Sequence, residues 1–98
     1  MLTLEDVKRL IEPLAFDANL KRVIVFGSYA RDEQTDKSDI DIVIDSGGML
    51  RGLAFFDLAY RLDSLFPIKT DIFELCEVKN PSQTFTNIQK EGVVIYEG

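Results

Sequence analysis

The sequence predicts one domain of the α/β (α+β) class spanning residues 1–98, and three observations carry that reading. At 98 residues the chain is long enough for a single hydrophobic core and short for two. Its composition, 46% hydrophobic and 29% charged with three Pro and six Gly, is that of a globular protein and excludes disordered or collagen-like chains. Short β-branched runs alternate with stretches of helical periodicity, the pattern of a sheet interleaved with helices.

The elements follow in order. Thr3-Leu4-Glu5-Asp6 reads as a capping box that opens a helix. Leu4, Val7, Leu10, Ile11 and Leu14 then form one apolar stripe, and Pro13 predicts fraying from Glu12 onward. Arg22 to Phe26 is a short buried strand ending at Gly27. Asp39 to Asp45 alternates, with Ile40, Ile42 and Ile44 on one face and Asp39, Asp41, Val43 and Asp45 on the other. After Ser46-Gly47-Gly48, a second amphipathic helix carries Leu50, Ala54, Leu58, Leu62 and Leu65 and ends near Pro67. Ile68 to Leu75 is a third strand, with Asp71, Phe73 and Leu75 sharing a face. Asn80-Pro81-Ser82 starts a last short helix that stops at Gly92, and Val93 to Tyr96 is a terminal strand.

What the composition lacks excludes several chemistries. With no His, Ser–His and Cys–His catalysis and His-ligated zinc are ruled out. The single cysteine, Cys76, has no internal disulfide partner and reads as a small buried residue. The N-terminus reaches acid at Glu5 without a basic start, unlike a signal peptide, and no apolar run approaches the roughly 20 residues of a membrane span. These features point to the cytoplasm and away from membranes. Eleven Lys and Arg against 17 Asp and Glu give a net charge of −6, which disfavours direct nucleic-acid binding.

Three features carry chemistry. Gly27-Ser28-Tyr29-Ala30-Arg31 follows the first strand, where a glycine lets the backbone turn closely around a ligand. The free N–H groups of the next turn, with the Ser28 hydroxyl, suit a phosphate, and Arg31 could add charge; the plain alternative is a simple turn. In Ser38-Asp39-Ile40-Asp41, carboxylates at i and i+2 project from one strand face about 6.5 Å apart. Converging to ~5 Å, two such anions repel by about 3 kcal/mol at an effective dielectric near 20, which a hard cation such as Mg²⁺ would relieve. An edge strand with acids on its wet face is the alternative. The third is Asp71, an acid in an apolar stretch that needs either a metal or a pairing with Lys69 or Lys21. Three acids on two neighbouring strands can hold two divalent ions for phosphoryl or nucleotidyl transfer.

The run Gly27-Ser28-Tyr29-Ala30-Arg31, six residues, then Ser38-Asp39-Ile40-Asp41-Ile42 and a later Asp71 resembles the signature of the DNA polymerase beta-like nucleotidyltransferase superfamily. The whole chain, through Glu91-Gly92-Val93-Val94-Ile95-Tyr96, is similar to the minimal nucleotidyltransferases (MNT proteins). That resemblance implies a mixed sheet with helices packed on one face and the metal site on the other. It implies that Asp39, Asp41 and Asp71 ligate two Mg²⁺ ions and act in catalysis, Asp71 also helping to deprotonate the attacking hydroxyl. Gly27 and Ser28 would hold the triphosphate of ATP, with Arg31 beside it; Ser38 would shape the loop or touch a phosphate. Members of the family are antitoxins that transfer AMP to a tyrosine of a HEPN-domain ribonuclease toxin, which implies a hetero-oligomeric partnership. The pattern usually has Gly after Ala-Arg, whereas Asp32 stands there in this chain. An Asp restricts the loop and sets a negative charge beside the triphosphate unless it points away.

Other residues read as background. Asp36 and Asp45 are solvated acids, Glu74 is a surface residue, and Phe56 and Tyr60 are core overflow or, alternatively, a partner-binding patch. Two further functions compete with adenylyl transfer. One is a non-catalytic antitoxin that masks its partner stoichiometrically through its acidic surface. The other, less favoured, is a nucleotidyltransferase acting on an aminoglycoside-type small molecule.

Overall fold

The computed structural model describes residues 2–98. Helix α1 covers Leu4–Asp17, strand β1 Arg22–Phe26, strand β2 Ile40–Asp45 and helix α2 Leu53–Ser64. Strand β3 covers Thr70–Glu74, helix α3 Gln83–Glu91 and strand β4 Val93–Glu97. Single 3₁₀ turns, Gly27–Tyr29 and Leu75–Glu77, follow β1 and β3. Among the described residues, no helix is long and apolar enough to cross a membrane.

Helix α1 opens where Thr3 accepts the Asp6 N–H at 3.2 Å while Asp6 accepts the Thr3 N–H at 3.0 Å. It does not fray at Pro13 but runs on to Asp17. Pro13 and Arg9 both lie on the exposed side, so the Arg9 carbonyl that loses its helical donor is turned to water. The buried stripe is Val7, Ile11 and Ala15, and Leu10 is left 39% exposed.

The sheet order is β3-β2-β1-β4, with β1 antiparallel to both neighbours and β2 parallel to β3. A parallel pair needs a long crossover, which α2 supplies between β2 and β3. Because side chains alternate, β1, β2 and β3 each feed two apolar layers. Val23, Val25, Ile40, Ile42 and Ile44 pack with Val7 and Ile11 of α1 and Leu58 and Leu62 of α2. On the opposite face Ile24, Phe26 and Val43 pack with Ile88 of α3. Helices α1 and α2 thus cover one face as the family resemblance implies, and the short α3 shares the other face with the candidate site.

Three background readings change. Glu74 is 4% exposed and not a surface residue; its Oε2 accepts the Ser46 hydroxyl at 2.7 Å, and Oε1 the Ser46 N–H at 3.4 Å. The Ser46 hydroxyl in turn accepts the Leu50 N–H at 3.1 Å, which ties the loop after β2 to β3. Cys76 is exposed and not buried, because the chain leaves the sheet in the 3₁₀ turn that contains it. Phe56 and Tyr60 are 66% and 73% exposed, and they form with Leu53 an outward stripe on α2 that the core does not use.

Removing the Ser46 hydroxyl strips the buried Glu74 carboxylate of its shortest donor. Ser46→Ala should therefore cost about 1–3 kcal/mol in urea denaturation; an unchanged midpoint would mean that Glu74 turns to solvent instead.

Candidate active site

The site forms where β1 ends. Gly27 has φ +76°, a left-handed conformation that turns the chain from strand into the 3₁₀ turn. A Cβ built on Gly27 would overlap Oδ2 of Asp41, so the Asp41 carboxylate lies in the space a side chain would fill. Only glycine satisfies both demands. The turn after β1 and the acidic strand are fitted to each other here.

Asp41 and Asp71 are register partners on the parallel strands β2 and β3, which lie about 4.8 Å apart. Asp39 precedes β2 by one residue. The Asp-Ile-Asp segment does not belong to an edge strand, since β2 lies between β3 and β1. Among the described residues Asp71 forms no ion pair with Lys69 or Lys21. Asp39, Asp41 and Asp71 line one hollow of about 370 Å³ together with Gly27, Ser28, Arg31 and Ser38. Burial pushes the Asp41 carboxyl up to about 6, helped by the neighbouring Asp71 and more weakly by Asp39 and Glu91. Among the described residues, no three acidic or cysteine groups stand ready-made as a metal cage. The donor set nevertheless suits a hard divalent cation, because it is all carboxylate oxygen and its mutual repulsion is what such an ion relieves.

The remaining predicted residues differ in their engagement. Ser38 shapes the loop: its Oγ accepts the Thr35 N–H at 2.9 Å and lies 3.3 Å from Thr35 Oγ1. Arg31 lines the hollow but is held by two carboxylates, Glu33 at 2.6 Å and Glu91 at 2.7 Å. Asp32 has φ +58°, which accounts for the glycine usual in the family pattern, and Asp is among the residues that tolerate it. It is exposed and does not line the hollow, so its charge points away. Asp45 is not the solvated acid expected but is largely buried and paired with Arg22 at 3.1 Å, whereas Asp36 is exposed as expected. Two lining residues escaped the sequence reading, Asn87 and Glu91 of α3. Their signal was an i, i+4 polar pair on the helix face just before Gly92.

A glycine turn after β1 beside carboxylates paired across two parallel strands, on a mixed four-stranded sheet, is the arrangement expected of a nucleotide-transferring α/β fold. The family model "Polymerase beta, Nucleotidyltransferase" matches residues 8–98. The chain therefore belongs to the polymerase beta nucleotidyltransferase family. It is 38% identical, over 83% of its length and 87% of the other's, to a Methanocaldococcus jannaschii protein with the provisional name protein adenylyltransferase. It also resembles a chain in the crystal structure of a toxin–antitoxin with AMP-PNP, at TM-score 0.76 and 26% identity, covering 93% of this chain and 73% of that one. It shares its fold with a chain of the complex of a tri-AMPylated Shewanella oneidensis HEPN toxin with MNT antitoxin, at TM-score 0.71 and 23% identity, covering 96% and 72%.

Asp41 binds a proton more readily folded than unfolded, since its pKa rises from 3.8 to about 6. Its contribution therefore weakens the metal-free fold as pH climbs from about 4 through 6. Asp41→Asn should raise the melting temperature of metal-free protein at pH 8 and flatten its decline between pH 4 and 7. A lowered melting temperature at pH 8 would show that Asp41 is not under repulsion.

Proposed function

We propose that this chain is a Mg²⁺-dependent protein adenylyltransferase that moves AMP from ATP to a tyrosine hydroxyl of a HEPN ribonuclease toxin, and so acts as its antitoxin. The observation that carries the reading is the register pairing of Asp41 with Asp71 beside the Gly27-Ser28 turn. The adenylyltransferase name of the M. jannaschii relative and the AMP-PNP-bound toxin–antitoxin neighbour support the choice of donor and acceptor. Residues 1–98 would work as one minimal domain in the cytoplasm, where ATP is available, with the acceptor protein bringing its own surface.

In this reading the triphosphate sits against the turn that Gly27 opens and is held by the Ser28 N–H and hydroxyl, the Gly27 N–H itself being taken by Glu91. Asp39, Asp41 and Asp71 would hold two Mg²⁺ ions, which when bound supply positive charge to the attacking oxygen and to the leaving pyrophosphate. Asp71 accepts the proton of the tyrosine hydroxyl as its oxygen bonds to the α-phosphorus; the bond from that phosphorus to the bridging oxygen breaks, and pyrophosphate leaves. The AMP moiety remains on the acceptor. Ser38 keeps the approach to Asp39 in shape through Thr35.

A second reading, stoichiometric masking without catalysis, draws on the exposed Leu53, Phe56 and Tyr60 of α2, which suit a lasting protein contact. One experiment separates the two. With α-labelled ATP and Mg²⁺, wild-type protein should label an excess of toxin and silence it substoichiometrically, while Asp39→Ala and Asp41→Ala abolish both effects. Silencing that survives in these variants at a one-to-one ratio would favour masking, and undiminished labelling would refute the site.

A further inference from the structure

Glu91 is the carboxylate of the hollow that belongs neither to the aspartate set nor to the phosphate turn. It is the last residue of α3, its side chain is 22% exposed, and both of its oxygens are engaged. Oε1 accepts the Gly27 N–H at 3.1 Å, and Oε2 accepts Arg31 Nη1 at 2.7 Å. The first of these donors opens the phosphate turn; the second is the one cationic side chain among those lining the hollow. An N–H at the start of a helical turn has no partner within the turn. A long guanidinium stem keeps one rotamer only when something holds it. Glu91 answers the first alone and shares the second with Glu33, which holds Arg31 Nε at 2.6 Å.

Its mount is rigid. Ile88, one turn earlier in α3, is packed against Ile24, Phe26 and Val43. Gly92, the next residue, donates its N–H to the Ile88 carbonyl at 2.9 Å. A Cβ on Gly92 would overlap that carbonyl and press on Ile24 at 2.9 Å, so the chain turns there in contact with the sheet. Glu91 therefore reaches Gly27 from a fixed point. The peptide it orients is the one whose bare Cα makes room for Asp41 Oδ2. A single hydrogen bond thus links the end of α3 to the phosphate turn and, through it, to the acidic strand.

We propose that Glu91 is a positioning residue for nucleotide transfer: its carboxylate sets the Gly27 peptide and the Arg31 guanidinium in the arrangement that receives the nucleotide phosphates. The proposal rests on the nucleotidyltransferase reading above. A carboxylate placed there only as a charge would repel a triphosphate, and its neutralisation would tighten nucleotide binding. A positioning carboxylate predicts the opposite sign.

The test uses the full chain. Gly27 is the one glycine that follows a phenylalanine, so carbonyl-¹³C phenylalanine with ¹⁵N glycine isolates its amide signal. In nucleotide-free protein, Glu91→Gln should move that signal upfield as the charge-assisted hydrogen bond weakens. The Kd for α,β-methylene-ATP with Mg²⁺ should rise about tenfold or more, and in turnover KM for ATP should rise more than kcat falls. Glu91→Asp keeps the charge but withdraws it by one methylene; it should show the same loss and stands in if Glu91→Gln does not fold. Unchanged or tighter binding in a folded variant overturns the proposal, as does an unmoved Gly27 signal. A wild-type chain that binds no nucleotide overturns the transferase reading and this proposal with it, whereas wild-type binding with an unaffected variant overturns this proposal alone.

Discussion

Like-charge crowding at the ends of β2 and β3 is the constraint on which the rest of the molecule depends. Asp41 faces Asp71 across a parallel strand pair, and two such anions ~5 Å apart repel by about 3 kcal/mol at an effective dielectric near 20. The reverse side of the same strand opposes this. Ile40, Ile42 and Ile44 are fully buried against α1 and α2, each contributing roughly 1.5–3 kcal/mol by leaving water. Hydrophobic burial wins by a wide margin. It also sets the register, because a slip of one residue would turn the isoleucines to solvent and the aspartates into the core. The fold can therefore hold an unfavourable charge arrangement indefinitely.

That same alternation made much of the molecule legible beforehand. Ile40-Asp41-Ile42 states both faces of its strand in sequence, and the cap at Thr3, the turn at Gly27 and the stop at Gly92 are local signals that local structure obeys. What was illegible depends on neighbours remote in sequence. The burial of Glu74 rests on Ser46, 28 residues away, and the engagement of Glu91 rests on Gly27, 64 residues away. Periodicity assigned Glu74 to the face opposite Asp71 but carried no sign that a hydroxyl would meet it there. Pro13 misled for a different reason: its cost depends on whether the freed carbonyl reaches water, and that is a property of the packed helix. Cys76 misled because an apolar neighbourhood in sequence ended in a 3₁₀ turn that lifts it off the sheet.

Asp32 shows how a departure from a family pattern can be resolved by geometry. The pattern's glycine corresponds to a left-handed residue, and Asp32 adopts that conformation at φ +58°. Asp reaches this region at a lower cost than β-branched residues do, since its short polar side chain bonds locally. Its charge stays outside the hollow. The substitution therefore acts on the entropy of the loop and leaves the lining of the hollow untouched.

The charge balance within the hollow constrains how a triphosphate would be recognised there under the proposed function. Asp39, Asp41, Asp71 and Glu91 line it against one cation, Arg31, whose guanidinium already serves Glu33 and Glu91. Little free positive charge on the protein is left to attract an anion, and Arg31 can meet one only through the N–H groups that Glu33 and Glu91 leave open. Neutral donors remain, the N–H groups of the turn after β1 and the Ser28 hydroxyl, and these act by direction at short range. Directional donors are worth little unless their backbone is held still, because a turn free to reorient loses its hydrogen bonds as easily as it makes them. On the proposed function, the positive-φ glycine under Asp41 and the carboxylate that anchors its N–H would therefore be as much a part of anion recognition as the donors themselves.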